Sequence, residues 1–472
     1  MSASPETIAR LKSAAGAGGF TEDAAAIAPH LVEWRGKYRG HSLLLLQPKA
    51  VAEVSALLSI CNETRTPIVP QGGNTGLVGG QIPLNGEILL SLHRMARIRD
   101  IDTDGMSAIA EAGVVLADMQ RAADEAGAYF PLSLASEGSA TLGGNLSTNA
   151  GGVNVLRYGS ARQLALGIEV VLADGRVLDL LRRLPKDNTG YDLKQLFIGA
   201  EGTLGIVTAA VWKLFAPPRT CETAFVAVPD PAGAITLLRR LEEASGGFLS
   251  AFELICRTGL DLVLAHIPRT SDPLAKSSPW YVLVEATSSA PMPLREMLES
   301  ALQRAMDGGI ATDAVLASNQ AQRDALWRLR ESLSEAQKIE GASIKHDVSV
   351  PLRAIPELIA RGIEAVTTLV PGVRPVPFGH VGDGNIHFNF SAPKGADGTA
   401  FLARWEDVAR VVHDLVHELG GSISAEHGLG VMKRDEILRY KSETEMDVMR
   451  SLKRLLDPNN ILNPGKLVSA AG

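Results

Sequence analysis

Residues 377–389 contain two histidines, one aspartate, two asparagines and three glycines. The glycines permit a tight loop that brings His380 beside His387. From 386 to 390 apolar and polar side chains alternate, which predicts a half-buried strand with His387 and Asn389 on its polar face. Two convergent imidazoles are typical of a divalent-metal site that still lacks one or two ligands, and they equally fit a hydrogen-bonded structural pair.

A second histidine pair, His413 and His417, lies in a segment with helical periodicity, 404–419. Histidines four residues apart on a helix can bind zinc. Other positions form the apolar stripe of this helix, so we expect both histidines to face mainly solvent and to bind no metal.

The chain has 472 residues, too many for one hydrophobic core, which predicts two or three domains. A net charge of −7 without a basic block argues against binding to nucleic acid or to a membrane surface. No apolar run approaches the roughly 20 residues of a spanning helix, and residues 1–19 lack the pattern of a secretory signal. Cys61, Cys221 and Cys256 are too scattered for a disulfide framework. We therefore expect a cytoplasmic protein.

Three glycine-rich segments follow or precede predicted strands at residues 71–80, 131–152 and 201–208. Glycine lets the backbone approach a ligand closely and turn its N–H groups toward a phosphate. The segment 131–152 also supplies hydroxyl and amide groups without bulk. None of the three has the spacing of a Rossmann fingerprint or a Walker loop. One such loop fits a hairpin without a ligand, whereas several together indicate a large nucleotide-like ligand.

A hairpin with an Asp-Gly turn is predicted over 168–180, and Pro217-Pro218 marks a domain boundary. Beyond it, strands and helices alternate as in a small α+β domain. The spacing predicts a long helix over 318–340, with a core stripe formed by Leu326, Leu329, Leu333 and Ala336.

Arg330 and Ser334 lie one turn apart on the flank of that stripe, so we expect them to face a shared space and not open water. An isolated arginine in a helix usually forms a structural salt bridge. Recognition of a carboxylate is the other interpretation of Arg330.

Four segments, 70–80, 143–152, 173–175 and 201–207, resemble the FAD-binding domain of the vanillyl-alcohol-oxidase family of flavoproteins. The chain is also similar to the D-2-hydroxy-acid dehydrogenase branch of that family, and the resemblance covers nearly its whole length. Three long motifs in the right order carry it: Pro-Gln-Gly-Gly-Asn-Thr-Gly from Pro70, Phe-Gly-His-Val-Gly-Asp-Gly-Asn-Ile-His from Phe378, and Ser-Ala-Glu-His-Gly-Leu-Gly from Ser424.

The resemblance implies an α+β fold with a two-subdomain FAD-binding domain over 1–217 and an α+β substrate or cap domain over 218–425. A C-terminal segment, 426–472, would pack back on the FAD domain. Some relatives carry a histidine bonded covalently to the flavin where this chain has Asn74, so we expect non-covalent FAD. The residues implied to bind FAD are Pro70, Gln71, Gly72, Gly73, Asn74, Thr75, Gly76, Leu77, Ser136, Glu137, Gly138, Gly143, Gly144, Asn145, Ser147, Thr148, Ala150, Gly151, Glu201, Gly202, Gly205, Ile206, Val207 and Asn463.

The activity implied by the resemblance is FAD-dependent, metal-assisted oxidation of D-2-hydroxyglutarate to 2-oxoglutarate, with hydride transfer from C2 to the flavin. The implied metal ligands are His380, His387 and Glu426, with zinc preferred and manganese or iron as alternatives. A structural salt bridge is the other interpretation of Glu426. His427 would be the general base. The residues implied to hold the substrate are Arg330, Ser334, Lys345 and Asn389. Threonine is the more familiar residue where Ser334 stands.

Three alternatives stay open. The substrate is D-lactate or a broad range of D-2-hydroxy acids if Arg330 alone holds the shared carboxylate. A zinc hydrolase would use the same metal ligands to activate water, and a non-catalytic flavin-binding subunit would use the loops alone. The electron acceptor is expected to be an electron-transfer flavoprotein, a quinone or a second oxo acid, and a homodimer is an assembly that the sequence leaves open.

Overall fold

A computed structural model of the chain describes residues 3–468. Within this range the residues form two compact units, the first comprising 3–151, 159–217 and 426–468 and the second 152–158 and 218–425. The predicted FAD-binding domain begins at residue 1 and the predicted C-terminal segment ends at residue 472, and both of these ends lie outside the described residues. Both units contain helices and sheets, so the predicted α+β class is confirmed.

The first unit contains two sheets. Four strands, in the order β1-β2-β4-β3, form a mixed sheet in which only β1 and β2 pair antiparallel. Five antiparallel strands, in the order β5-β6-β9-β7-β8, form the other. The strands are β1 (Phe20–Thr21), β2 (Leu45–Leu46), β3 (Ile68–Gln71), β4 (Ile88–Ser91), β5 (Ile98–Asp102), β6 (Ser107–Glu111), β7 (Ala165–Val171), β8 (Val177–Leu180) and β9 (Ile206–Lys213).

The helices of the first unit cover these sheets. The helix Val51–Thr64 buries Val54, Leu57, Leu58 and Cys61, the apolar positions whose helical spacing marks its inner face. The α-helices are Pro5–Ala15, Ala24–Ile27, Val51–Thr64, Leu116–Glu125, Leu142–Ser147, Ala161–Leu164, Lys194–Phe197, Ile437–Tyr440 and Glu443–Leu456, with a 3-10 helix at Ala28–His30. Strands β7 and β8 form the predicted hairpin, in which Val171 pairs with Val177 across the turn.

The second unit is built on one antiparallel sheet of eight strands. Its order is β13-β10-β12-β11-β16-β17-β14, and β15 also pairs with β17. The strands are β10 (Thr220–Val228), β11 (Leu249–Cys256), β12 (Trp280–Ser288), β13 (Asp313–Leu316), β14 (Ser343–Ile344), β15 (Asp347–Ser349), β16 (Arg374–Gly379) and β17 (Asn385–Ser391). The α-helices are Val155–Tyr158, Pro231–Ser245, Arg257–His266, Leu294–Asp307, Gln320–Glu331, Leu333–Glu340, Ile355–Leu369, Gly398–Leu402 and Trp405–Glu418, with 3-10 helices at Leu352–Ala354 and Val381–Asp383.

The predicted long helix over 318–340 is divided into two helices at Ser332, where ψ is −4°. The four predicted core residues of this segment are nevertheless buried in one cluster with Val376 and Phe378 of β16. The pair of helices therefore packs directly on the strand that leads to His380.

Strand β17 is more deeply buried than its alternating sequence predicts. His387 is its only half-buried residue, and the other six residues are buried. The prediction of a half-buried strand is wrong because helices cover both faces of β17: Gly362 of the helix Ile355–Leu369 lies against Phe388 on one face, and Gln337 of the helix Leu333–Glu340 is hydrogen-bonded to Asn389 on the other.

Within residues 3–468, no helix is both long enough and apolar enough to span a bilayer.

Candidate active site

The hairpin of β16 and β17 carries both histidines of the predicted metal site. Phe378 pairs with His387, and His380 follows the end of β16. Gly379 has φ +149°, and a Cβ there would lie 2.7 Å from the carbonyl oxygen of Asn385, so the turn requires glycine. The two imidazole centroids lie 5.5 Å apart with an interplanar angle of 76°. The structure thus brings the two side chains together, as metal binding requires.

Glu253, a buried carboxylate that the sequence analysis did not identify, lies beside this hairpin. Its Oε1 atom is 2.7 Å from Nδ1 of His380, and its Oε2 accepts a hydrogen bond from Nε of Arg330 at 2.7 Å. Burial would raise the pKa of Glu253, but the charges and hydrogen bonds of His380 and Arg330 lower it to about 2. A single glutamate inside the apolar strand Leu249–Cys256 is a signal that could have found this residue.

Arg330 is buried and forms the salt bridge with Glu253 that the structural interpretation anticipated. Its guanidinium carbon also lies 5.0 Å from the ring centroid of Phe378. These contacts use Nε and one face of the guanidinium, and the terminal nitrogens can still form a bidentate pair with a ligand carboxylate. The salt bridge and carboxylate recognition are therefore compatible.

The other predicted substrate residues differ in exposure. Ser334 is exposed, so the expectation that it is shielded from water together with Arg330 is wrong. The expectation assumed one continuous helix, but the first helix ends at Glu331 and a second begins at Leu333. Lys345 is half-buried in the link between β14 and β15.

Asn389 is buried and already hydrogen-bonded on both sides. Its Nδ2 donates to Oε1 of Gln337 at 3.0 Å, and its Oδ1 accepts the backbone N–H of His346 at 3.1 Å. The amide nitrogen of Gln337 is buried and has no partner among the described residues. Gln337, which sequence reasoning missed, therefore supplies a second polar group beside Asn389.

Asp347 in β15 lies across from His387 in the sheet register. The two side chains approach to 3.8 Å, and Asp347 accepts a hydrogen bond from Nδ2 of Asn385 at 2.9 Å. The backbone carbonyl of Asp347 accepts the N–H of Ala425 at 3.2 Å. Glu426, the predicted third metal ligand, follows Ala425 in sequence. It begins the C-terminal segment of the first unit.

The predicted solvent exposure of the second histidine pair is confirmed for one member only. His417 is exposed, but His413 is buried, with its ring centroid 5.4 Å from that of His346. The solvent-facing prediction for His413 is wrong because the helix Trp405–Glu418 is covered on that side as well as on its apolar stripe.

In the first unit, the first two glycine-rich loops pack backbone to backbone. A Cβ on Gly73 would lie 1.9 Å from the carbonyl oxygen of Ser139, and a Cβ on Gly72 would lie 2.4 Å from Oγ1 of Thr141. Thr141 also caps the helix Leu142–Ser147 by accepting the N–H of Gly144. Any side chain at Gly73 would separate the loops, so glycine is required for their close approach.

Asn74 does not offer a free side chain to a ligand. Its Nδ2 donates to the carbonyl oxygens of Pro29 and Val32, and its Oδ1 accepts a hydrogen bond from Gln81. Its backbone has φ +54°. The residue therefore shapes the loop and carries no nucleophilic atom.

Two buried amide groups at the loops have unused hydrogen-bonding capacity. Nδ2 of Asn145 and Oδ1 of Asn463 have no partner within the described part of the chain. Nδ2 of Asn463 bridges two loops by donating to the carbonyl oxygens of Gly80 and Glu201, at 2.9 and 2.8 Å. Buried polar atoms are normally paired, so these two atoms fit a polar ligand such as a nucleotide cofactor.

The carboxylate of Glu201, a residue predicted to contact FAD, is hydrogen-bonded within the protein. The backbone N–H groups of Leu429 and Gly430 donate to its two oxygens at 2.7 and 2.8 Å. Burial raises the pKa of this carboxyl despite the two donors and nearby Lys433 and Lys466. Its backbone carbonyl and the adjoining loop face Asn463.

The C-terminal tail is fixed by a buried ion pair that the sequence analysis missed. Lys453 donates to Asp457 at 2.6 Å and to the carbonyl oxygens of Thr203 and Leu462. Asp457 also accepts two backbone N–H groups of the tail, including that of Leu462 at 2.8 Å. These contacts hold the tail beside the third glycine-rich loop and so place Asn463.

The remaining predicted FAD residues occupy the same three loops. Residues 136–138 precede Thr141, Ser147 ends the short helix, residues 148–151 follow it, and residues 202–205 lead into β9, which begins with Ile206 and Val207. Their contacts with the cofactor stay predictions.

Comparison with known proteins places the chain in a family. The family model described as FAD binding domain matches residues 42–181, and that described as FAD linked oxidases, C-terminal domain, matches residues 217–467, more than half of the chain. The crystal structure of p-cresol methylhydroxylase with substrate bound shares the fold, with a TM-score of 0.78 at 18% identity over 99% of this chain and 97% of that one.

Two curated relatives cover most of the sequence. A probable mitochondrial D-2-hydroxyglutarate dehydrogenase of Oryza sativa subsp. indica is 42% identical over 465 residues, which is 98% of this chain and 82% of the relative. The mitochondrial D-2-hydroxyglutarate dehydrogenase of Bos taurus is 40% identical over 445 residues, 94% of this chain and 80% of the relative.

The fold and the loops define a flavoprotein of the FAD-linked oxidase class with the vanillyl-alcohol-oxidase fold. More narrowly, the chain belongs to the FAD-dependent D-2-hydroxy-acid dehydrogenases, oxidoreductases that act on a CH–OH group. The family resemblance, the fold and FAD as cofactor are thereby confirmed. This class excludes the alternative hypotheses of a zinc hydrolase and of a non-catalytic flavin-binding subunit.

The prediction of a cytoplasmic location is wrong, because the rice and cattle relatives are named as mitochondrial enzymes. The prediction rested on the scarcity of cysteine. All three cysteines are free in the structure, but free thiols occur in every reducing compartment and do not select one.

Proposed function

We propose that this dehydrogenase oxidises D-2-hydroxyglutarate to 2-oxoglutarate with FAD and one divalent metal ion. The observation that carries the proposal is the shared carboxylate of Glu253, to which both His380 and Arg330 are bound. Glu253 thereby holds together an imidazole that can bind a metal and a guanidinium that can bind a carboxylate. The names of the rice and cattle relatives support the choice of substrate.

The proposed metal ligands are His380, His387 and Glu426. The adjacent imidazoles support the first two, and the hydrogen bond that fixes Ala425 to Asp347 supports a defined position for the start of Glu426. Two nitrogens and one oxygen suit zinc, our first choice, as well as manganese and iron. A divalent ion bound there would act as a Lewis acid that lowers the pKa of the substrate's 2-hydroxyl.

The substrate is held through its two carboxylates. Arg330 binds one of them with its terminal nitrogens, and Lys345 supplies a compact second charge. Asn389, fixed by Gln337, orients the polar atoms around C2. Ser334 contributes a hydroxyl donor from an exposed position.

His427 takes the proton of the 2-hydroxyl through a ring nitrogen. FAD, when bound, would supply the acceptor for the hydride from C2. The three glycine-rich loops and Asn463 hold this cofactor, and the unused atoms of Asn145 and Asn463 support that assignment. Non-covalent binding follows from Asn74, whose amide is engaged by the protein.

We assign FAD binding to residues 1–217, substrate binding to 218–425 and support of the cofactor loops to 426–472. An electron-transfer flavoprotein, a quinone or a second oxo acid reoxidises the flavin. A homodimer is the assembly to be tested first.

The test uses the purified holoenzyme, D-2-hydroxyglutarate and an artificial dye as acceptor. Removal of metal by a chelator is expected to lower turnover by roughly tenfold or more, and added Zn²⁺ or Mn²⁺ is expected to restore it. His380→Ala should have the same effect, whereas His417→Ala, which changes an exposed histidine of the same unit, should not. Full turnover in metal-free protein would refute the role of the metal.

A further inference from the structure

We propose that Glu253 is a positioning residue that presents Nε2 of His380 to the metal and aims the guanidinium of Arg330 at the substrate carboxylate. The choice of a metal and a substrate carboxylate as the groups that these two side chains bind rests on the proposed function. The hydrogen-bond geometry on which it depends lies wholly within the second unit.

The position of Glu253 follows from the sheet. Leu254 pairs with Gly379 and Ile255 with Phe378 in the antiparallel register of β11 and β16. Continued by one residue, this register places Glu253 opposite His380, although the two are 127 positions apart in sequence. A carboxylate at this point of the strand therefore meets the imidazole as it leaves β16.

A carboxylate that pairs with an arginine accepts hydrogen bonds and donates none. Oε2 of Glu253 accepts the Nε–H of Arg330, so the 2.7 Å contact of Oε1 with Nδ1 of His380 places a proton on that nitrogen. In this tautomer the lone pair of the ring is on Nε2, the atom that a metal would bind. Histidine ligands in metal sites are commonly oriented in this way by a carboxylate on the other ring nitrogen.

The second hydrogen bond acts on Arg330. The guanidinium is held by its Nε at 2.7 Å and lies over the ring of Phe378. Neither contact uses the outer edge of the guanidinium, so its two terminal nitrogens keep the N–H pair that bidentate recognition of a carboxylate requires. One buried carboxylate thus sets the orientation of both side chains.

The same helix provides an internal comparison. Arg323, two turns before Arg330, pairs with the buried Glu285 of β12 through Nε at 2.8 Å. Glu285 also accepts hydrogen bonds from Trp327 and Thr223. Glu253 and Glu285 are thus two arginine-paired, buried carboxylates on neighbouring strands, and only Glu253 is bound to a histidine of the proposed metal site.

The experiment compares Glu253→Gln with the matched control Glu285→Gln. A glutamine at 253 has one acceptor oxygen, which the Nε–H of Arg330 can use, and an NH₂ group that must then face Nδ1 of His380. An NH₂ donor selects the tautomer with the proton on Nε2, which blocks the metal-binding lone pair. The first readout is the protonation of Nδ1 in His380. It is measured by nitrogen-15 NMR of histidine-labelled, metal-free protein, and the His380 signal is assigned by its loss in His380→Gln.

We expect Nδ1 to be protonated in the wild type and in Glu285→Gln and unprotonated in Glu253→Gln. The second readout is the affinity of the metal-free protein for Zn²⁺ alone, measured by competition with a chromophoric chelator. It should fall about 10- to 100-fold in Glu253→Gln and stay within about twofold in Glu285→Gln. Glu253→Asp keeps an acceptor-only group and should retain a protonated Nδ1 with an intermediate affinity, which provides a folded variant if Glu253→Gln is unstable.

A protonated Nδ1 in Glu253→Gln, or equal losses of Zn²⁺ affinity in the two glutamine variants, would overturn the proposal. A wild type that shows the expected tautomer but binds no Zn²⁺ would refute the proposed metal site and leave the orienting role of Glu253 in place. The two failures are therefore distinguishable.

Discussion

The backbone N–H of Gly430 donates to Oε2 of Glu201 at 2.8 Å, across 229 residues of sequence. The same carboxylate accepts the N–H of Leu429. Glu201 belongs to the glycine-rich loop that leads into β9, and its partners are the last two residues of the motif that contains Glu426 and His427. One side chain therefore ties a cofactor loop to the segment that carries the proposed general base.

Glu201→Gln is expected to weaken both that segment and FAD retention. Glutamine has one carbonyl oxygen for two backbone donors, so one buried N–H loses its acceptor, at a cost of about 1–3 kcal/mol. The free energy of unfolding should fall by that amount, and FAD should dissociate more readily in dilution experiments followed by flavin fluorescence.

The matched control is Glu111→Gln, which also removes a buried carboxylate that accepts a backbone N–H in the first unit. Its partners are Arg97 and Arg99, and none of its hydrogen bonds reaches a glycine-rich loop. It should lower stability without changing FAD affinity. Equal FAD loss in both variants would show that Glu201 acts only through general stability.

Gly73→Ala is expected to reduce FAD affinity roughly 10- to 100-fold. The new Cβ would stand 1.9 Å from the carbonyl oxygen of Ser139, so one loop must move, and such overpacking costs about 1–3 kcal/mol. The ratio of flavin to protein after gel filtration measures the effect. Gly233→Ala, in a helix with no atom closer than 3.3 Å to the new methyl group, is the control. Unchanged flavin content in Gly73→Ala would contradict the required close approach.

Local spacing predicted those features that depend on neighbours in sequence. The core stripe of Leu326, Leu329, Leu333 and Ala336 follows helical periodicity, and the Asp-Gly turn fixes the hairpin of β7 and β8. His380 and His387 were found in the same way, because a short glycine-rich loop joins them.

The remaining residues could not be predicted, because their surroundings depend on contacts between distant parts of the chain. Glu253 lies in a strand whose eight residues are all buried, and only the register with β16 reveals that it faces His380. Lys453 and Asp457 look like a surface i, i+4 pair in sequence, yet both are buried against the third loop. His413 is buried for a similar reason, since a neighbouring histidine covers it from outside its own helix.

The stability of the protein should rise with pH between about 8 and 10. Burial lowers the pKa of Lys466 to about 8, and nearby Glu87 only partly offsets this. An unfolded lysine has a pKa of about 10.4, so the unfolded chain binds more protons than the folded one in that window, and stability increases with pH. The total is roughly 3 kcal/mol. Lys466→Met should remove the rise in denaturant-unfolding curves, whereas Lys441→Met, at a half-exposed lysine, should keep it. The same slope in Lys466→Met would exclude this lysine as its source.

Lys345→Ala should impair oxidation of D-2-hydroxyglutarate far more than oxidation of D-lactate. Both substrates offer the carboxylate proposed for Arg330, but only the dicarboxylate has a second one for the half-buried Lys345. A charge-assisted hydrogen bond is worth about 1.5–3 kcal/mol, so kcat/KM for D-2-hydroxyglutarate should fall roughly 10- to 100-fold, while kcat/KM for D-lactate stays nearly constant. Lys394→Ala, at an exposed lysine of the same unit, is the control and should change neither value. An equal loss on both substrates would refute recognition of the distal carboxylate and would favour a broad D-2-hydroxy-acid dehydrogenase.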